Sequence, residues 1–312
     1  MKILPTGRVV LVGAGMVGSS VAYSILNQQI AKELVIIDIA EELAKAHVLD
    51  MQDAAQFTAG TDIQNGNYNS LEDGDVVVIT CGAAQKDGQT RQDLLKINAG
   101  IIRSVIKSIR ESQKQVFIVM VTNPVDIMTY IAVTESGLPE NMVFGSGTFL
   151  DTGRLRLAIA EKVDVNTNSI HAYILGEHGD TSFPLLSNAT VSGIDLAELL
   201  KVDDSLYEDL LTKVRAKAYQ IIQGKKASYF GIGNATAVIV KAILRNEKRV
   251  LPMSVMLKGE YGFQDVCIGI PVKLSASGYE IIAEVKFNEK ERELFEKSVK
   301  YIKQHITLIK IN

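Results

Sequence analysis

Short apolar runs alternate with longer amphipathic stretches through the first half of the chain. Residues 9–12, 34–38, 75–80 and 116–122 are rich in valine and isoleucine on both faces of an extended chain. That pattern suits strands buried on two sides in a parallel sheet. Residues 16–28, 42–54 and 93–112 carry apolar positions at helical spacing between them. The alternation predicts βαβ units with right-handed crossovers, an α/β doubly wound parallel sheet. Asn123-Pro124 ends the fourth run and opens a further helix, with proline in the first turn.

The pattern changes near residue 145, which predicts a second, α+β domain with antiparallel strands. The expected division is 1–145 and 146–312. Helices are predicted over 151–162, 195–200, 204–223 and 288–305, the last capped by Asn288. Strands are predicted over 170–175, 248–257, 266–270 and 272–274, with a glycine-bearing turn at 258–262.

Composition narrows the class of protein. The chain has 312 residues, enough for two domains, and 47% of them are hydrophobic, enough for a sizeable core. With a net charge of −3 and no basic block, nucleic acid is not an expected partner. No apolar run reaches the roughly 18 residues of a membrane span. The start is short and polar around Pro5-Thr6-Gly7, and the two cysteines, Cys81 and Cys267, fit no metal spacing. Small buried thiols in a reducing, cytoplasmic setting are expected.

Two segments carry candidate chemistry. The first apolar run feeds Gly13-Ala14-Gly15-Met16-Val17-Gly18, a Gly-x-Gly-x-x-Gly turn. Such a turn lets backbone N–H groups and a helix N-terminus approach a pyrophosphate. Gly13 would make the tight turn, Gly15 the close approach and Gly18 the strand–helix contact; the glycines alone also fit a plain turn against a packed helix. The second run ends in Asp38, at the distance where a carboxylate can accept both adenosine ribose hydroxyls. Asp38 would repel a 2′-phosphate, and no arginine follows it in Ile39-Ala40-Glu41-Glu42, so NAD is favoured over NADP. A helix cap at the strand exit is the competing use of Asp38.

The second segment is Gly176-Glu177-His178-Gly179-Asp180, one of only four places where histidine occurs (His47, His171, His178, His305). A histidine in a glycine-flanked turn after a strand can exchange a proton near neutral pH. Asp151 can hold its far nitrogen, unless it only caps a helix, and Arg154, three residues on, can clamp a carboxylate bidentately. Arg91 ends a glycine-bearing stretch, residues 80–91, that leaves a sheet strand. It can swing over a substrate carbonyl or remain a solvated loop arginine.

Taken together, these segments, with Val121-Thr122-Asn123-Pro124-Val125-Asp126, Leu251-Pro252-Met253-Ser254 and Ile268-Gly269-Ile270-Pro271, resemble the L-lactate/malate dehydrogenase family over nearly the whole chain, the bacterial NAD-dependent L-lactate dehydrogenases most of all. The resemblance implies a Rossmann-type NAD domain followed by a substrate domain, and reversible hydride transfer between a 2-hydroxy acid and NAD. His178 takes the place of the proton donor and acceptor, Asp151 its partner, Arg154 the carboxylate clamp and Arg91 the mobile-loop arginine. Asn123 would contact substrate and nicotinamide together. The implied cofactor contacts are Gly13, Ala14, Gly15, Met16, Val17, Gly18, Asp38, Thr80, Gly82, Ala83, Thr122, Asn123 and Ile232. Ordinary core packing is the other use of Ile232.

Substrate choice rests, by the same resemblance, on Gln85, where malate dehydrogenases of the family carry arginine. Ser228 departs from the usual threonine, one methyl or about 0.8 kcal/mol of burial, which leaves room for longer 2-keto acids; residues 272–278 also depart from the pattern. A broader L-2-hydroxy acid dehydrogenase is therefore the alternative to the lactate enzyme, with malate dehydrogenase behind it. An NAD-sensing regulator would need the glycine turn but not His178, Asp151 and Arg154, and no basic recognition helix is evident. Arg156 and His171 resemble the subunit-interface anion site of lactate dehydrogenases activated by fructose 1,6-bisphosphate, which implies a homotetramer. As surface residues, the pair would have no effector role.

Burying the second carboxylate of oxaloacetate without a cationic partner costs several kcal/mol. Gln85→Arg is therefore expected to raise kcat/KM for oxaloacetate relative to pyruvate. An unchanged ratio removes Gln85 from substrate selection.

Overall fold

A computed structural model describes residues 3–58, 60–83 and 90–310. Gln85 lies outside the described residues.

The first half runs β1 (Arg8–Val12), α1 (Met16–Asn27), β2 (Glu33–Ile37), α2 (Glu41–Ala55), β3 (Asp62–Asn65), β4 (Val76–Ile79), α3 (Arg91–Glu111), β5 (Phe117–Met120), α4 (Val125–Ser136) and β6 (Val143–Gly145). The second half continues with α5 (Phe149–Val163), β7 (Ile170–Leu175), β8 (Phe183–Val191), β9 (Ile194–Asp195), α6 (Leu196–Leu199), α7 (Asp204–Lys225), α8 (Phe230–Leu244), β10 (Arg249–Lys258), β11 (Gln264–Ser275), β12 (Gly278–Glu280) and α9 (Glu289–Lys310). Among the described residues no single helix is long and apolar enough to cross a membrane.

Strands β6-β5-β4-β1-β2-β3 lie side by side and all pair in parallel. Their apolar residues are almost wholly shielded: Val9, Val10, Leu11, Val76, Val77, Val78, Phe117, Ile118 and Val119 are all at 0% exposure. Helices on both faces exclude water from these strands, which explains why the sequence shows continuous apolar runs instead of alternation. The order reverses between β1 and β4, and in such sheets a ligand crevice opens there, beyond the strands' carboxyl ends.

Strands β10, β11 and β12 pair antiparallel and join this same sheet through Ser254 of β10 opposite Gly145 of β6. The second half thus contributes three strands to one nine-stranded sheet, while β7-β8-β9 form a separate antiparallel sheet. The two strands expected at 266–270 and 272–274 are one, β11, which passes straight through Pro271. Pro271 faces Pro252 of β10, so both missing donors fall at one position of the ladder. Helix α5 begins at Phe149, two residues ahead of the expected start, so Asp151 lies inside its first turn and is not its cap. Asn288 caps α9 as expected: its side chain accepts the Glu291 N–H, and the Glu291 carboxylate accepts the Asn288 N–H.

At the amino end of β1, opposite the crevice, Arg8 gathers charge. Its guanidinium donates to Glu33 Oε1 at 2.8 Å, to the Ser70 carbonyl at 2.8 Å and to Asp75 Oδ2 at 2.9 Å. Asp75 is fully buried, and burial pushes its carboxyl up to about 6 despite Arg8. Arg8→Ala leaves that carboxylate without its cation and is expected to cost roughly 3–5 kcal/mol of stability at neutral pH. The loss shrinks on the acid side, where Asp75 takes up a proton. Urea unfolding at two pH values checks both the size and the sign.

Candidate active site

The glycine turn sits at the reversal of strand order. Gly13 has φ of 103°, and a Cβ there would lie 2.6 Å from the Cys81 nitrogen. A Cβ on Gly18 would lie 1.9 Å from the Gly13 carbonyl oxygen, so only glycine lets α1 start this close to β1. A Cβ on Gly15 meets nothing within 4 Å: this glycine faces open space at the N-terminus of α1. Ala14 N–H donates to Asp38 Oδ2 at 2.5 Å, and Asp38 Oδ1 accepts the Ala40 N–H at 2.8 Å. The carboxylate at the end of β2 therefore stands against the glycine turn, with Ile39 fully exposed beside it. Open space above a helix N-terminus, flanked by a carboxylate and an uncovered apolar side chain, fits the pyrophosphate, ribose and adenine of NAD.

Next to this cradle, Thr80 Oγ1 donates to the Gly13 carbonyl at 2.9 Å, and Thr122 Oγ1 donates to the Cys81 carbonyl at 2.7 Å. Asn98, 3% exposed, accepts the Ala83 N–H at 2.8 Å and donates to the Asn123 carbonyl at 2.9 Å. It fixes Gly82–Ala83 and Asn123 relative to one another. Nothing in the local sequence assigns Asn98 a role; a polar residue inside the apolar stripe of α3 is its only signal. Asn123 is exposed at the head of α4.

The acid/base group is built from α5 and the end of β7. Thr148 Oγ1 donates to the Ile174 carbonyl at 2.5 Å, and Thr152 Oγ1 accepts the Ile174 N–H at 2.9 Å. These bonds lay the first turn of α5 against the strand that delivers His178. His178 Nδ1 lies 2.6 Å from Asp151 Oδ2, and Arg154 Nη1 donates to Asp151 Oδ1 at 2.9 Å. Both carboxylate oxygens thus face a cation or a potential one, with the Asp151 and Arg154 side chains each 10% exposed. Burial alone would push the His178 imidazole down, but Asp151 outweighs it and raises the ring to about 9. Burial likewise opposes ionisation of Asp151, yet His178 and Arg154 hold its carboxyl below the usual range.

Residues 176–181 are anchored from several sides. Gly176 exchanges two backbone bonds of 3.0 Å with Gly269 of β11. Ser298 of α9 accepts the Glu177 N–H at 3.2 Å, and Glu177 Oε2 accepts both the N–H and the hydroxyl of Thr181. His178 N–H donates to Asp126 Oδ2 at 2.8 Å.

Other expected site residues take separate positions. Arg91 is the first residue of α3, behind a Thr90–Asp93 capping box. It pairs with Asp180 Oδ2 at 3.0 Å and its side chain is 73% exposed, outside the Asp151–His178–Arg154 contacts. Ser228 and Ile232 are half-buried at the entry to α8. A Cβ on Gly231, between them, would lie 3.3 Å from Leu150 Cδ1, which puts this segment beside the first turn of α5. Arg156 lies apart: its Nε donates to the Ala172 carbonyl at 3.1 Å and its guanidinium sits 5.4 Å from the Tyr173 ring centre. His171 is exposed on the same strand, β7, two residues before Tyr173.

Family profiles match this arrangement along the chain. Residues 7–145 match the lactate/malate dehydrogenase NAD binding domain, and residues 148–311 match the lactate/malate dehydrogenase alpha/beta C-terminal domain. The chain belongs to the lactate/malate dehydrogenase family. Accordingly it is an NAD-dependent oxidoreductase with a Rossmann-type nucleotide domain. It is 44% identical to an L-lactate dehydrogenase of Lacticaseibacillus casei, over 96% of this chain and 93% of the relative. L-lactate dehydrogenase 2 of Enterococcus faecalis is 40% identical over 98% of both. A minor L-lactate dehydrogenase from Enterococcus mundtii, solved in a ligands-bound form, superimposes with a TM-score of 0.92 at 42% identity, covering 98% of this chain and 99% of that one. A lactate dehydrogenase from a Medee basin deep-sea metagenome library gives a TM-score of 0.94 at 40% identity, covering 99% and 100%.

Proposed function

We propose that the protein interconverts L-lactate and pyruvate with NAD. The observation that carries this reading is the Arg154–Asp151–His178 chain beside the nucleotide cradle. Gly13–Gly18 and Asp38 would hold NAD, which supplies a hydride acceptor or donor when bound. A carboxylate can only accept, so Asp151 keeps the proton of the near nitrogen on Nδ1 and leaves Nε2 to exchange a proton with the substrate oxygen. In lactate oxidation, neutral His178 takes the hydroxyl proton at Nε2. In pyruvate reduction, charged His178 returns it to the carbonyl oxygen. Arg154 holds the substrate carboxylate, and Arg91 stabilises charge on the reacting oxygen once it leaves Asp180. The half-buried Ser228 supports a second reading, a wider range of 2-keto acids, which 4-methyl-2-oxopentanoate assayed beside pyruvate separates from the first.

A proton bound up to about pH 9 favours the reducing direction at neutrality. Pyruvate reduction is expected to fall as pH rises through about 9, while lactate oxidation climbs over the same range. His178→Gln is expected to cost about 100- to 10,000-fold in kcat/KM and to spare NADH binding. A pyruvate limb well below neutrality, or a glutamine variant that still turns over, overturns the assignment of His178.

We further propose that Arg156 and His171, paired with their copies across a tetramer dyad, bind fructose 1,6-bisphosphate. Burial presses most against the charge of Arg156, Tyr173 supports it and the neighbouring Arg249 opposes it, so a phosphate there would offset both the burial and the repulsion from Arg249. The effector is expected to lower the half-saturating pyruvate concentration and favour the tetramer, and Arg156→Gln to abolish both effects. Kinetics and sedimentation with and without the effector decide the matter.

A further inference from the structure

Asp126 is a buried carboxylate to which the reaction above gives no part. It lies in the first turn of α4, three residues after Asn123, and is 2% exposed. Its two oxygens serve different elements. Oδ2 accepts the backbone N–H of His178 at 2.8 Å, and Oδ1 accepts the hydroxyl of Ser254 at 2.6 Å. Ser254 is itself fully buried on β10, opposite Gly145 of β6. A Cβ on Gly145 would lie 3.1 Å from that of Ser254 and 2.3 Å from Thr129 Oγ1, so the bare glycine lets α4 and β10 close on each other.

Surface carboxylates are common, but a carboxylate sealed between a helix and a sheet is costly, and here only two neutral donors, the His178 N–H and the Ser254 hydroxyl, offset that cost. No arginine or lysine pairs with Asp126 among the described residues. A serine would satisfy the His178 N–H more cheaply, so the charge itself calls for an explanation.

We propose that Asp126 is a positioning residue for His178, fixing the backbone of the acid/base turn from the α4 side and adding a negative charge near the imidazole to that of Asp151. This rests on the assignment of His178 as the proton-exchanging group. Through α4 the same residue ties His178 to Asn123, so both move with one helix turn. The ionisable groups that bear on the pair are Asp151, Arg154 and Glu177 around His178, and Glu177 and Cys267 around Asp126. Burial pushes Asp126 up to about 6, against the pull of its two donors. The carboxylate is therefore charged throughout the range in which His178, at about 9, gives up its proton.

Two substitutions separate position from charge. Asp126→Asn is nearly isosteric: its amide oxygen can accept from His178 while its NH2 donates to the Ser254 oxygen. Asp126→Ala removes both contacts. In the alanine variant kcat/KM for pyruvate is expected to fall roughly 10- to 100-fold with NADH still bound, and the asparagine variant to recover part of that loss. In the asparagine variant, the alkaline limb of pyruvate reduction and the NMR titration of the His178 ring are both expected to move to lower pH than in the parent. A ring that titrates as in the parent overturns the proposal. So does activity lost only in step with thermal stability and NADH binding. If the parent reduces no 2-keto acid, the functional reading fails on its own, and the ring titration still decides the role of Asp126.

Discussion

The contact between Asp151 and His178 sets what the rest of the molecule must do. A carboxylate sunk beneath the surface of α5 keeps its charge only because Arg154 takes one oxygen and His178 the other. Each partner is stabilised by the same anion, so moving either changes the proton affinity of the other. This explains the scaffolding around the pair. Thr148 and Thr152 bind α5 to the end of β7, and Gly269 and Ser298 grip the following turn. A 2.6 Å contact between groups on separate elements survives only if both elements are held that tightly.

The same logic links chemistry to topology. Strands β1, β4 and β5 end at one side of the sheet, and their exits carry the glycine turn, Thr80 to Ala83, and Thr122 to Asn123. Asn98 stitches the last two exits together. The antiparallel strands β10 and β11 carry Ser254 and Gly269 to that site, so the second half reaches the crevice as part of the sheet that forms it. The nine-stranded sheet carries the cofactor cradle, and the Gly176–Gly269 bonds tie the end of β7, with the acid/base turn, to that same sheet.

Much of this was readable from the chain, for identifiable reasons. The first-half strands betray themselves through apolar residues on both faces, and α3 through its sharply divided stripe. Helix α8 escaped because Gly231 and Gly233 interrupt it and Val238-Ile239-Val240 reads as extended chain; buried on most of its circumference, it shows little helical period. Strand β3, Asp-Ile-Gln-Asn, is too polar to stand out, and β8 loses its alternation in the run Phe183 to Leu186. Of the site, the glycines, Asp38, His178, Asp151 and Arg154 were legible because few arrangements need those residues in that order. Asp126, Asn98 and Ser254 were not, since a buried polar residue that bonds to distant backbone has no local signature. The pairing of Arg91 with Asp180 was equally hidden, because it joins positions 89 apart.

The order of strands has a consequence for how this chain behaves in a crowded solution. A nine-stranded sheet has only two rims, and here they are β3 with four residues and β12 with three. Unpaired N–H and C=O groups on a rim can recruit strands from other molecules, and short rims give them little to hold. By adding β10 to β12 onto β6, the fold hides what would otherwise be an open flank of its parallel core. The layer that assembles the crevice is thereby also the one that resists runaway self-association.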